Sequence, residues 1–176
     1  MSGHNKWSKI KHKKEASDAQ KSKIFSKLVK LIQNESKASG GNIDSPSLKS
    51  AVEKAKAANM PSDNISRAIK KGVESNSANM EQVVYEAYGP GGTALIIDGL
   101  TDNKNKTAQE IRHILTRNGF SLAATGSASW AFTKTGAEYI PNTMVKISEE
   151  DGEKLDKLIE EFEENEDVQE VYTNAE

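Results

Sequence analysis

The sequence predicts an α+β protein in two parts: an N-terminal three-helix domain with a basic arm over residues 1–75, and an acidic ferredoxin-like α/β sandwich over residues 80–176. Three observations carry this. Apolar residues recur at helical spacing in the first part, strand-sized apolar runs punctuated by glycine dominate the second, and the charge reverses between them. Residues 1–75 hold 16 Lys and Arg against 7 Asp and Glu, a formal +9, while residues 76–176 hold 8 against 19, a formal −11, although the whole chain of 176 residues carries only −2. One part can attract a polyanion and the other repels it.

Residues 1–14, MSGHNKWSKIKHKK, have no acid and no clean period, and read as an extended arm. From about Ser17, Ile24, Phe25, Leu28, Leu31 and Ile32 fall on one helical face, with Lys23, Lys27 and Lys30 on the opposite one. Gly40 and Gly41 suit the end of that helix, and Ser45 followed by Pro46 the cap and first turn of the next. The second helix turns Leu48, Ala51, Val52, Ala55 and Ala58 inward; a third starts at Ser62, buries Ile65 and Ile69 and stops at Gly72.

The polar stretch VESNSANME separates the two textures and reads as a linker. QVVYEAY and TALIIDGL then read as two strands joined by a glycine turn. A helix follows over residues 103–118, with Ala108, Ile111, Ile114 and Leu115 inward. SASWAFTK and NTMVKI read as two more strands, residues 148–164 as a helix burying Leu155, Leu158, Ile159 and Phe162, and VQEVYT as a last strand. Leaving aside the first strand, this is the ferredoxin-like strand-helix-strand-strand-helix-strand order, with one extra strand in front.

Composition excludes several classes of chemistry. There is no cysteine, so disulfides, thiolate catalysis and cysteine-ligated zinc are out. No apolar run approaches the length of a bilayer span, and the basic N-terminus lacks the apolar stretch of a secretory signal, so a cytoplasmic protein without membrane partners is expected. His4, His12 and His113 are the only histidines, and their spacing matches neither a metal site nor a triad. The acids of SEEDGEKLDKLIEEFEENED fit a solvated helix face better than paired catalytic carboxylates. No catalytic residue, metal, cofactor or small-molecule substrate is therefore expected.

Two motifs invite a phosphate reading. YGPGGT lacks the spacing of a nucleotide loop and leads into a strand, so Gly89, Pro90, Gly91 and Gly92 read as a hairpin turn. LTDNKNKT puts Lys104 and Lys106 at a helix start, which is either an anion site or a plain helix capped by Asp102. The basic arm itself reads as a solvated charge run, a mitochondrial presequence, or a phosphate-binding segment. Trp7 among the lysines offers a base-stacking surface, and the lysine stripe of the first helix continues the charge, which favours the third reading. Of 24 basic residues only Arg67, Arg112 and Arg117 are arginine. Lysine is a compact charge suited to phosphates, whereas reading bases in DNA relies on arginine forks, so backbone and shape recognition is expected, with structured RNA as suitable a target as DNA.

Taken together, SGHNKWSKIKHKK with SKIFSKL, AVEKAKAANMPSDNISRAIKKG, YEAYGPGGTALIIDGLTDNKNKT, GSASWAF and VQEVYTN resemble the YebC family, whose mitochondrial relative is the translational activator of cytochrome c oxidase. The resemblance implies a cytoplasmic nucleic-acid-binding regulator, either a DNA-binding transcriptional regulator or a ribosome-associated factor aiding translation, and it weakens the presequence reading. It assigns the family's basic motif to Gly3, His4, Lys6, Trp7, Lys9, Lys11, His12, Lys13 and Lys14, and a second basic patch to Lys104 and Lys106. The family also implies a third domain inserted near residues 134–142, where WAFTKTGAEYIPNTMVKI runs straight through, so this chain resembles a short form. The expectation is a non-enzymatic factor that binds rRNA or the ribosome through the arm and the first helix. DNA-binding transcriptional regulation is the alternative, and a protein-interaction module with an acidic docking domain the third reading.

Overall fold

A computed structural model describes residues 17–76 and 79–176, which contain five α-helices and six strands. They divide into two compact units, a helical one ending at Met80 and a sheet-containing one from Glu81 to Glu176.

The helical unit contains α1 (Asp18–Ser39), α2 (Pro46–Ala57) and α3 (Ser62–Glu74). Ser17 starts α1 with a reciprocal capping box: the Gln20 amide donates to Ser17 Oγ at 3.3 Å and the Ser17 amide donates to Gln20 Oε1 at 2.9 Å. Gly40, at φ 61°, ends it, and the Gly41 amide donates back to the Ser36 carbonyl at 2.8 Å. Ile32, Leu48, Ala51, Ala55, Met60, Ile65 and Ala68 form the core, with Phe25, Leu28 and Ile69 packed around it.

Two expectations change here. Ile24 is 43% exposed, because the 22-residue α1 is much longer than the 12-residue α2 and 13-residue α3 that cover it. Gly72 does not stop α3. It lies inside the helix and is buried, where a Cβ would stand 2.5 Å from the Gln33 carbonyl oxygen and 2.7 Å from Ser36 Cβ. The residue is small because α1 and α3 cross there, and Ser36 Oγ, also buried, donates to the Ile69 carbonyl at 2.6 Å across the same crossing.

In the second unit β1 (Glu81–Tyr88) and β2 (Ala94–Thr101) pair along all eight residues of each strand. The turn between them is the short 3₁₀ segment Pro90–Gly92, in which Gly91 and Gly92 take φ of 70° and 76°. Next come α4 (Lys104–Arg117), β3 (Leu122–Ala123), β4 (Phe132–Thr135), β5 (Glu138–Pro141), α5 (Glu149–Glu164) and β6 (Val168–Thr173). The main sheet has the order β3-β1-β2-β6 with every neighbouring pair antiparallel.

The four-stranded sandwich with two helices is the expected α+β class, but its strands are assigned differently. β2, α4 and β3 make a split β-α-β unit, and the slot between β2 and β3 is filled by β1. The strand expected to be extra is thus a central member of the sheet. The chain between the two helices instead makes a separate β4-β5 hairpin, turned by Gly136 at φ 62°. NTMVKI contributes only an isolated parallel bridge between Val145 and Ala175, because the chain bends at Asn142, whose amide donates to the Ala131 carbonyl. The local β1-β2 hairpin closes a short loop and claims the central position cheaply.

α4 and α5 cover one face of the sheet through Ala87, Leu95, Ile97, Ile111, Leu115, Leu155, Leu158 and Phe162. On the opposite face Ala94 and Ile96 pack against Ala128, Ala131 and Phe132. Covered on both sides, β2 reads as a continuous apolar run rather than an alternating one.

Candidate nucleic-acid interface

The candidate residues Gly3, His4, Lys6, Trp7, Lys9, Lys11, His12, Lys13 and Lys14 lie outside the described residues. Within them, Lys23 on α1 is exposed, while Lys27 and Lys30 are half-buried rather than fully outward. A lysine can lay its stem along apolar surface and still present its ammonium to water, so this burial is compatible with phosphate contact.

Lys104 and Lys106 stand in the first turn of α4, whose cap is Asn103 rather than Asp102: Asn103 Oδ1 accepts from the Lys106 amide at 3.1 Å. Asn103 wins because its own amide is held by Thr101 Oγ1 at 2.9 Å. Beneath this turn Thr107 Oγ1 lies 2.9 Å from Thr101 Oγ1 and 2.8 Å from Asp167 Oδ2, a polar anchor that ties the helix start to the chain leading into β6. Both lysines already have acid neighbours, Lys104 with Glu81 at 2.5 Å and Lys106 with Glu110 at 3.6 Å. All four side chains are at least a third exposed, and pairs of this kind contribute about 0–1 kcal/mol, so a phosphate can replace the carboxylates at small cost. Tyr85 donates from its hydroxyl to the Lys104 carbonyl at 3.5 Å. Burial, followed by the charge of Asp167, pushes its phenol pKa up, with Lys104 opposing.

At Gly91 the glycine turn is closed off by its neighbours. A Cβ on Gly91 would meet Ile147 Cγ2 at 2.5 Å and Asp151 Oδ2 at 3.3 Å, so the loop is packed against an apolar side chain and a carboxylate. His113 is exposed on α4, and among the described residues no group of His, Asp and Glu is arranged to hold a metal ion. No helix among them is long and apolar enough to cross a membrane.

One group escaped the sequence reading. Trp130 is 58% exposed, with its indole N–H donating to Tyr88 Oη at 2.9 Å, and Tyr88 in turn donates to the Ser127 carbonyl. Read as a strand, SASWAFTK sends Trp130 to the same side as the buried Phe132. The 3₁₀ turn Ser129–Ala131 breaks that alternation and turns the indole outward. The loop before it is pinned by Glu86, whose carboxylate accepts from the amides of Gly126, Ala128 and Ser129 at 2.8, 2.7 and 2.9 Å. Burial alone would raise the Glu86 pKa, but these backbone donors outweigh it and hold the carboxyl below its ordinary range.

Comparison with known proteins agrees with this architecture. Residues 5–75 match the TACO1/YebC protein N-terminal domain, and residues 80–138 and 135–175 match the TACO1/YebC second and third domain. A probable transcriptional regulatory protein of Thermoanaerobacter pseudethanolicus is 42% identical over 239 aligned positions, covering 100% of this chain and 97% of that protein. One of Thermotoga petrophila is 54% identical over 152 positions, covering 85% of this chain and 60% of that protein. The crystal structure of a conserved hypothetical protein from Aquifex aeolicus superposes with a TM-score of 0.80 at 33% identity, covering 95% of each chain. With family matches running through both units and relatives aligned over its whole length, the chain belongs to the TACO1/YebC family.

Proposed function

We propose that this protein is a non-enzymatic, nucleic-acid-binding regulator of gene expression that grips phosphates through its lysine-rich N-terminal arm and the lysines of α1, with structured RNA of the translation machinery as its target. The observation that carries this reading is the charge division: +9 over residues 1–75 against −11 over the rest, with 21 of the 24 basic residues being lysine. Lysine serves phosphate contact and shape recognition better than base-edge reading. Lys104 and Lys106 supply a second contact once their exposed acid partners are displaced.

The relatives are named probable transcriptional regulatory proteins, which favours a second reading in which the target is DNA. A titration separates the two. Changing Lys9, Lys11, Lys13 and Lys14 to alanine in the full chain should preserve the circular dichroism and abolish binding to ribosomal RNA. With roughly five phosphates engaged, log K for the unaltered chain should fall against log salt with a slope of about −4. Binding that ignores salt, or survives the four substitutions, overturns the proposal. Promoter DNA that outcompetes random duplex by far more than tenfold, while RNA does not compete, selects the DNA reading.

A further inference from the structure

We propose that Trp130 and Tyr88 form a stacking platform for the bases of a single-stranded nucleic acid, whose backbone passes over the edge strand β3 into a cleft holding Arg112. The proposal deepens the nucleic-acid reading above and rests on it, but it concerns a site in the other unit of the chain.

Four observations lead to it. First, the indole is exposed yet fixed. Its N–H is committed to Tyr88, the Tyr88 hydroxyl is committed to Ser127, and Glu86 pins the amides of the two residues that precede it. What the pair still offers is ring surface, since its donors are used. A fixed aromatic face without free donors suits any base, because every base has a π face and no hydrogen-bond code is being read.

Second, Tyr88 ends β1 next to β3. Ala87 is paired with Leu122, which brings Ser121 and Leu122 alongside the end of β1. The same residues line a cleft of about 390 Å³ together with Arg112 and Thr116 of α4. β3 is only two residues long and forms the sheet edge, so a chain passing over it links the platform to the cleft.

Third, Arg112 is one of four cations of this unit, with Lys134, Lys146 and Lys157, that make no ion pair with a described residue, and of these four it alone lines the cleft. Lys104, Lys106, Arg117 and Lys154 each face a carboxylate, whereas Arg112 is exposed at the cleft. A guanidinium left open beside hydroxyls of Thr116 and Ser121 is a phosphate-type donor set.

Fourth, most of the acids lie away from the platform, on the face that also carries α4 and Arg112. Residues 149–176 hold 13 of the 19 acids found beyond residue 75. α5, which carries most of them, packs on one face of the sheet, while Ala128, Ala131 and Phe132, which flank Trp130 in sequence, pack on the other. On that second face Asp98 and Glu170 stand in register with Val84, four residues along β1 from Tyr88.

The test uses the full chain carrying Trp7→Phe, which leaves Trp130 as the sole tryptophan. Titration with short oligo(U) or oligo(dT) should quench its fluorescence, and duplex of equal length should quench it weakly. Trp130→Ala should weaken single-strand binding by about tenfold or more and leave duplex binding within twofold. Arg112→Gln should weaken single-strand binding and reduce the magnitude of the salt slope by about one. Tyr88→Phe keeps the rings and removes the anchor, so it should lower affinity less than Trp130→Ala. Absence of quenching, or single-strand affinity unmoved by Trp130→Ala, overturns the proposal, as does equal loss for duplex and single strand. The four-lysine arm variant keeps the two proposals apart: quenching that persists at higher oligonucleotide concentration supports this site whatever becomes of the arm.

Discussion

Glu86 is a buried carboxylate whose partners are backbone amides rather than a cation. Three amides from one loop converge on it, so Glu86→Gln replaces one accepting oxygen by a donor that faces N–H groups. The expected cost is about 2 kcal/mol, read from chemical denaturation. The pH dependence follows from the direction of the shift. The folded pKa lies below the unfolded one, so the carboxylate's contribution is complete above the unfolded value of about 4.3 and is lost as the pH falls through the lower folded value. Glu86→Gln should remove that part of the acid-side loss of stability, leaving a shallower profile below about pH 4. None of this was legible in the sequence, where Glu86 is one acid among 26 and sits in a strand, EQVVYEAY, with no clean alternation. The loop that satisfies it begins 40 positions later, and one-dimensional spacing carries no signal for such a pairing. Trp130 was hidden for a related reason: a single 3₁₀ turn changes which side a residue faces, and composition does not announce one.

The crossing of α1 and α3 shows helices whose positions are readable and whose contacts are not. Periodicity located the helical faces, since burial in a three-helix core follows the 3.6-residue repeat and Ser17, Gly40 and Pro46 mark the ends. Gly72 reads equally well as a stop or as a close contact, and only the neighbouring helix decides. Gly72→Ala should gain up to about 1 kcal/mol of helix propensity but force a Cβ against the backbone of Gln33. Backbone cannot rotate away as a side-chain tip can, so the net effect should be destabilising by about 1–3 kcal/mol. A lower thermal midpoint for the helical unit would show this, and a raised midpoint would mean that α1 moves aside at no cost. The same limit applies to α4: the helix start is readable, but of its two readings the one capped by Asp102 places the cap one residue too early, because the Asn103 amide is anchored on the Thr101 hydroxyl in a way that no capping pattern contains.

For the molecule as a whole, the two-part plan and the α+β class were legible because charge, periodicity and turn residues all change near residue 80. The strand order was not, since several segments read as strands and only the fold shows that the slot between β2 and β3 is taken by β1, the hairpin partner of β2. Filling that slot from the N-terminal side relieves residues 132–141 of any place in the main sheet. The β4-β5 hairpin is therefore a side branch, and its tip at Gly136 is where the two stretches matched to the family's second and third domain overlap. We expect a small, independently folding domain whose ends lie close together, grafted between Gly136 and Ala137, to leave the denaturation midpoint of the sheet within error of the parent, because lengthening an exposed loop adds only about 0.6 kcal/mol per doubling. The same graft into the turn at Gly91, packed against Ile147, should abolish folding of this unit. Chain length at the hairpin tip is thereby uncoupled from the integrity of the scaffold, which leaves a lineage free to acquire or discard a whole module there without redesigning what remains.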